Sequence, residues 1–314
     1  MSDFKSFLKV LLRSILPRRA YNLILARPVL VIMSRSLYRK VHRINMAALF
    51  SDPEFRGDWG GIIRKEAHII DKGLQLSGRK RGHSLDRAAS LRKSLMAAPV
   101  EGHTALWASE ILSMHGALQN EQLESEAYSG FDFICPDGDA QYISDVIRTR
   151  RSIRHFSFVE SPSQDLVRQA IDATVWASSS CNRQTIISYV AFDENLAALC
   201  AKQNKGATGI SGTFAFISVC YDTRSYFLPQ ESLTGMIDVS LGFQNALLLM
   251  HAFGLGACVL NWSHASKQEE FTLRTLLDIP EHCEIAFNVV VGVPRVGAPP
   301  PGRKSDSEYM QVKG

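Results

Sequence analysis

The stretch WASSSCNRQTI, Trp176–Ile186, sets three serines, a cysteine, an asparagine, an arginine and a glutamine between two apolar segments. The segment that leads into it, SPSQDLVRQAIDATVWA (161–177), offers Ser161 as a helix cap, Pro162 at the first helical position and Gln164 to complete a capping box. Leu166, Val167, Ala170, Ile171 and Thr174 then form one apolar stripe, which predicts a helix running to about Ala177. The next segment, IISYVAFD (186–193), has the β-branched, aromatic texture of a strand. The polar stretch is therefore a helix-to-strand connection, the kind of loop on which a rigid scaffold displays binding groups. Ser179, Ser180, Asn182 and Gln184 supply donors and acceptors that suit a heterocycle of alternating carbonyls and ring nitrogens. The competing reading is that a tight turn spends these side chains on its own backbone.

Further downstream, FAFISVCY (214–221), GACVLNW (256–262) and AFNVVVGV (286–293) read as more strands, separated by helical segments. The longest of those, from about Leu233 to Phe253, is mostly apolar and is interrupted by Asp238, Gln244 and Asn245. From Gln141 onward the pattern is thus an α+β domain around a small sheet. From Met1 to about Ala140 it is mainly helical with polar breaks, giving a division into residues 1–140 and 141–314.

Upstream of the loop lies IRTRRSIRHF (147–156), where Arg148, Arg150, Arg151 and Arg154 crowd around Ser152. Guanidinium groups beside a hydroxyl suit a phosphate, which accepts bidentate charged hydrogen bonds. A solvated basic face is the simpler alternative.

Taken together, RRSIRHF, then SSSCNRQ at a helix end, then IDVSLGFQNALLLMHAFGLGACVLNW, then VVVGVPRVGAPPPGRKSDSEY resemble, in order and spacing, the nitroreductase family of FMN-dependent oxidoreductases. The likeness spans roughly Gln141 to the C-terminus. It implies an α+β fold with a mixed sheet flanked by helices, preceded here by a mainly helical region. It also implies an FMN cofactor, reduced by NAD(P)H and reoxidised by a small organic acceptor in a ping-pong cycle, and an intertwined homodimer with the long helix at its core. Carried over position by position, Arg150, Arg151, Ser152 and Arg154 grip the FMN phosphate and ribityl chain. Ser179, Ser180, Asn182 and Gln184 lie along the ring from the neighbouring subunit. Cys258, Val259, Leu260 and Asn261 reach the reactive edge of the flavin, and Arg303 returns to the phosphate. No catalytic acid or base is implied. The sequence departs from the family pattern at Ser178, Thr185 and Ile186 around the serine loop, at Asn261 where a carboxylate is frequent, and at Pro301 where a basic residue is common.

Composition sets the remaining bounds. The chain has 314 residues, 46% hydrophobic and 21% charged, enough for one large or two ordinary domains. Its six cysteines (135, 181, 200, 220, 258 and 283) show neither paired nor metal-like spacing, which argues against a disulfide framework or a metal site and for a reducing, cytoplasmic setting. The net charge of +4 is concentrated at the start, where ten Lys or Arg fall between Met1 and Arg43 against Asp3 alone. There FKSFLKVLLRSIL (4–16) is a basic amphipathic helix. Packing against the protein is the preferred reading for it; a peripheral membrane contact and a polyanion contact are the others. No nucleic-acid motif is present, and neither a secretory signal nor a membrane span fits. In RKEAHIIDKGLQL (64–76), His68, Asp71 and Lys72 share one helical face that could build an acid/base or ligand site; the preferred reading is a surface ion pair beside a helix ending at Gly73. Segments similar to this one precede nitroreductase-like domains in some bacterial proteins of polysaccharide synthesis. Arg79, Lys80 and Arg81 are candidate charges for an anionic sugar or nucleotide. The alternative to an enzyme is a noncatalytic or membrane-associated scaffold that keeps the fold.

Overall fold

The computed structural model describes residues 58–75, 82–97, 100–119, 138–226 and 231–313. The basic helix at 4–16 and the charges Arg79–Arg81 lie outside these residues. Asp58–Ser225 together with Thr234–Gly314 form one compact unit.

The N-terminal helical texture of that unit resolves into α1 (Trp59–Leu74), α2 (Leu85–Ala97) and α3 (His103–Gln119). Their apolar faces meet in one cluster of Ile63, Ala67, Ile70 and Leu74 with Ala88, Leu91, Ala108 and Ile111. In α1 the carboxylate of Asp71 accepts a hydrogen bond from Gln75 at 3.1 Å, and the helix runs one residue past Gly73.

Next come α4 (Ala140–Thr149), α5 (Gln164–Asp172), β1 (Ile186–Ala191), α6 (Glu194–Lys202), β2 (Ala215–Asp222), α7 (Thr234–Ala252), β3 (Gly256–Leu260), α8 (Lys267–Leu277), β4 (Cys283–Gly292) and the short α9 (Asp306–Tyr309). The fold is α+β, its strands and long helix falling where the residue pattern puts them. The helix before the serine loop is shorter than its apolar stripe. It starts at Gln164 with Ser163 as cap, its hydroxyl accepting from Leu166 N, and tightens after Asp172 into a 3₁₀ turn at Ala173–Trp176. Ser163 displaces Ser161 because the hydroxyl three residues before Leu166 is the one that reaches its amide.

The strands lie in the order β1-β2-β4-β3, and all three pairings are antiparallel. Among the described residues, parallel pairing within the expected mixed sheet is confined to isolated bridges, Ser152 to Ala257 and His155 to Ser211. Every residue of β2 is buried, as a near-continuous apolar run requires when helices cover both faces. Phe216 and Cys220 join Ala197 and Cys200 of α6 and Leu273 of α8 in one cluster. From α7, Phe243 meets Phe287 of β4 edge-on, with ring centroids 5.7 Å apart. Gly242 lets α7 approach the turn after α5 closely, since a Cβ there would stand 2.8 Å from the Thr174 carbonyl oxygen. Two of the polar residues that interrupt α7 secure the same contact: Asn245 donates to the Ala173 carbonyl, and Asp238 accepts from the Ser180 amide at 3.0 Å.

Among the described residues, no helix is long and apolar enough to cross a membrane, and no group of three His, Cys, Asp or Glu could hold a metal ion.

Candidate functional site

The arginine segment begins where α4 ends. Asp139 caps the helix by accepting from Gln141 N at 2.8 Å, and at Arg150 the backbone turns extended. The chain then runs along β3, with Ile153 N donating to the Ala257 carbonyl at 3.0 Å. So close an approach requires Gly256, where a Cβ would lie 2.8 Å from that of Ile153. This packing gathers Ser152, Arg150 and Arg154 around Cys258. Burial pushes the Cys258 thiol up, while Arg154, Arg150 and a hydrogen bond from Ser152 pull it down. Arg151 is turned back, its Nη1 donating to the carbonyls of Arg148 and Arg150 at 2.6 and 2.8 Å, where a cation complements the C-terminal end of α4.

His251, near the end of α7, meets the same corner, its Nε2 2.8 Å from Thr149 Oγ1. Burial first, then the charges of Arg150 and Arg151, lower its pKa from the ordinary 6.5. The unfolded chain therefore binds the proton more readily, so neutral His251 favours the fold above about pH 6.5, and that contribution is lost as pH falls through the depressed value. Arg150→Ala should raise the His251 titration midpoint, followed by the proton chemical shift of its ring in an NMR titration. An unmoved midpoint would dissociate the two residues.

The serine loop sits at the opposite end of α7. Its amide at Ser180 is held by Asp238, its Gln184 amide by Ser179 Oγ at 3.2 Å, and Gln184 Nε2 donates to Asn182 Oδ1 at 2.8 Å. Arg183 is fully buried, with Nη1 donating to the carbonyl and hydroxyl oxygens of Ser180. Cys181, Asn182 and Gln184 have φ of 53°, 52° and 51°, a left-handed conformation that L-residues adopt at a cost of about 1–3 kcal/mol each. The loop thus does spend side chains on itself, as the simpler reading held. A backbone strained at three of four successive residues and pinned from several sides is also the kind of geometry that binding sites carry.

On β3 the pleat separates the four candidate residues. Cys258 and Leu260 are buried in the core with Phe216 and Leu273, and because it is the Ala257 carbonyl that faces the arginine segment, their own backbone groups are turned toward β4. Val259 and Asn261 face outward, and Asn261 Oδ1 accepts from Ser263 N at 2.9 Å. Arg303 is exposed in the C-terminal tail, donating to the adjacent Gly302 carbonyl.

The helix α7 measures the separation of the two clusters. Asp238 touches the serine loop and His251 touches the arginine corner; thirteen residues at about 1.5 Å each put them roughly 20 Å apart. The sheet agrees, because β1 and β3 are its two outer strands. The fold therefore joins Arg150, Ser152 and Arg154 to Cys258 and keeps Asn182 and Gln184 well away from them within one chain. Residue patterning missed Arg183, Asp238 as a loop anchor, and His251; a charged side chain in a polar stretch gives no sign that it will be buried.

A family model, that of the Nitroreductase family, matches residues 147–216, so the arginine segment, the serine loop, β1 and the very start of β2 carry the sequence pattern of that family. Solved structures resemble the chain over about half its length. One is an FMN-dependent nitroreductase from Clostridium difficile, 17% identical with a TM-score of 0.47, covering 55% of this chain and 99% of its own. Another, described as a nitroreductase in complex with FMN, comes from Desulfovibrio desulfuricans: 24% identity, TM-score 0.45, 55% and 96% coverage. A nitroreductase-like protein from Streptococcus mutans is 18% identical, with a TM-score of 0.47 and coverage of 56% and 100%.

Proposed function

We propose that this chain is an FMN-dependent oxidoreductase that acts as a homodimer, taking a hydride from NAD(P)H and passing two electrons to a small organic acceptor in a ping-pong cycle. The observation that carries the reading is the pair of unlike clusters at the two ends of α7: cationic donors at one, neutral amides and hydroxyls at the other. A phosphate needs the first set and a neutral redox ring the second. The donor chemistry present fits FMN, which when bound supplies the two-electron chemistry.

In this reading Arg150, Ser152 and Arg154 bind the phosphate, with Arg151 shaping the helix end beside them and Arg303 closing over it from the tail. Ser179, Ser180, Asn182 and Gln184 of the second copy orient the ring. Val259 and Asn261 line its exposed face, while Cys258 and Leu260 pack behind them in the core. A two-fold axis that lays one α7 against the other brings the serine-loop end of one copy to the arginine end of its partner, which cancels the roughly 20 Å separation measured within one chain. The surface for such pairing is apolar and uncovered: Ile237 and Leu241 on α7 are 55% and 51% exposed, and α4 buries none of Tyr142, Ile143 and Ile147. Asn261, being neutral, leaves the ring without the nearby carboxylate common in the family. A role within bacterial polysaccharide synthesis is the biological setting that fits the His68 segment.

The test is retention of flavin. Purified protein given FMN and passed through a desalting column should emerge yellow and be bleached by NADH or NADPH under anaerobic conditions. Colourless protein after that treatment would overturn the proposal.

A further inference from the structure

The helix α1 precedes the segment that carries the family pattern, yet it reaches into the serine loop. Arg64 donates from Nε and Nη2 to the same acceptor, the Arg183 carbonyl, at 2.9 and 2.7 Å, and from Nη1 to Thr104 Oγ1 of α3 at 3.0 Å. Arg183 is thereby held from both sides, its own guanidinium on Ser180 and its carbonyl in the Arg64 fork. The position of α1 is itself registered. Asp58 caps the helix at Gly61 N (2.9 Å) and accepts from Ser225 Oγ (2.5 Å) just past β2, and Gly61 leaves no room for a side chain there. Arg64 is therefore presented by a helix that is fixed to the sheet rather than by a loose appendage.

The loop needs such a restraint. Cys181, Asn182 and Gln184 occupy left-handed backbone wells, and residues in such wells stay there when surrounding contacts over-determine them. A charged fork on a single carbonyl, partly buried, is stronger and more directional than a neutral hydrogen bond. We infer that Arg64 is a positioning residue: its grip on the Arg183 carbonyl locks the 179–184 loop in its ligand-ready shape, so a helix outside the segment with the family pattern sets the affinity of the site. The identity of the ligand rests on the proposed function; the lock itself does not.

Cys181 lies within the loop and permits a test that needs no cofactor. In protein without FMN, alkylation of Cys181 followed by peptide mass spectrometry should run about tenfold faster in Arg64→Ala, with buried Cys200 unchanged as the internal standard. FMN affinity, read by quenching of flavin fluorescence, should fall about 10- to 100-fold in the same variant, as expected for loss of a charge-assisted hydrogen bond. Arg64→Lys, which keeps the charge but not the fork, should fall between, and serves alone if the alanine variant does not fold. Thr104→Val removes the α3 contact and should leave both readouts at wild-type values. Wild-type labelling and affinity in the Arg64 variants, or effects of equal size in Thr104→Val, would overturn the inference. If the wild-type protein does not bind FMN, the functional reading fails while Cys181 labelling still decides the lock.

Discussion

Replacing Arg150 and Arg154 together with alanine should weaken FMN binding about 10²- to 10⁴-fold, because each charge-assisted hydrogen bond to a phosphate contributes about 1.5–3 kcal/mol. The fold should survive. Arg154 is exposed and Arg150 partly so, and the packing of this segment on β3 depends on Ile153 and Gly256 instead. Unfolding monitored by circular dichroism should therefore match the wild type while flavin retention is lost. Removing two cations also relieves Cys258 of the charges that lower its pKa, so its thiolate should form at higher pH. If the double variant holds FMN as tightly as the wild type, the phosphate is not bound at this corner.

Leu241→Asp should break the dimer and, with it, flavin binding. A carboxylate placed in an apolar interface costs several kcal/mol, which corresponds to about a thousandfold loss in association. In a single chain Leu241 is half exposed, so the substitution leaves the monomer core intact. Light scattering should report the 34.9 kDa mass of one chain, and FMN should no longer be retained, although Leu241 belongs to neither cluster. The joint loss is the point of the experiment. If the site were complete within one copy, a monomer would still bind; a monomer that keeps its flavin would overturn the shared site.

The two substitutions probe features of unequal visibility in the sequence. Periodicity exposes local burial, and so the four strands, the long helix and the helical texture of the described residues between Asp58 and Gln119 were legible in the sequence. The length of α5 was not, because the apolar stripe continues into a 3₁₀ turn in which Thr174 is also buried. The separate chemistry of the arginine and serine segments was readable as well, since guanidinium and amide groups declare themselves by residue type.

Position in space is another matter. Val259 and Cys258 are adjacent in sequence, yet the pleat sends one outward and the other into the core. Arg64 and Arg183 stand far apart along the chain, and no local pattern announces that a guanidinium in α1 will close on a carbonyl before β1. Residue order alone thus determined which elements form and which functional groups they carry. The tertiary structure decided where those groups lie: strand order set β1 and β3 on opposite edges, and α7 held the two clusters about 20 Å apart. Both arise from packing between elements distant in the chain, which short-range patterns do not record.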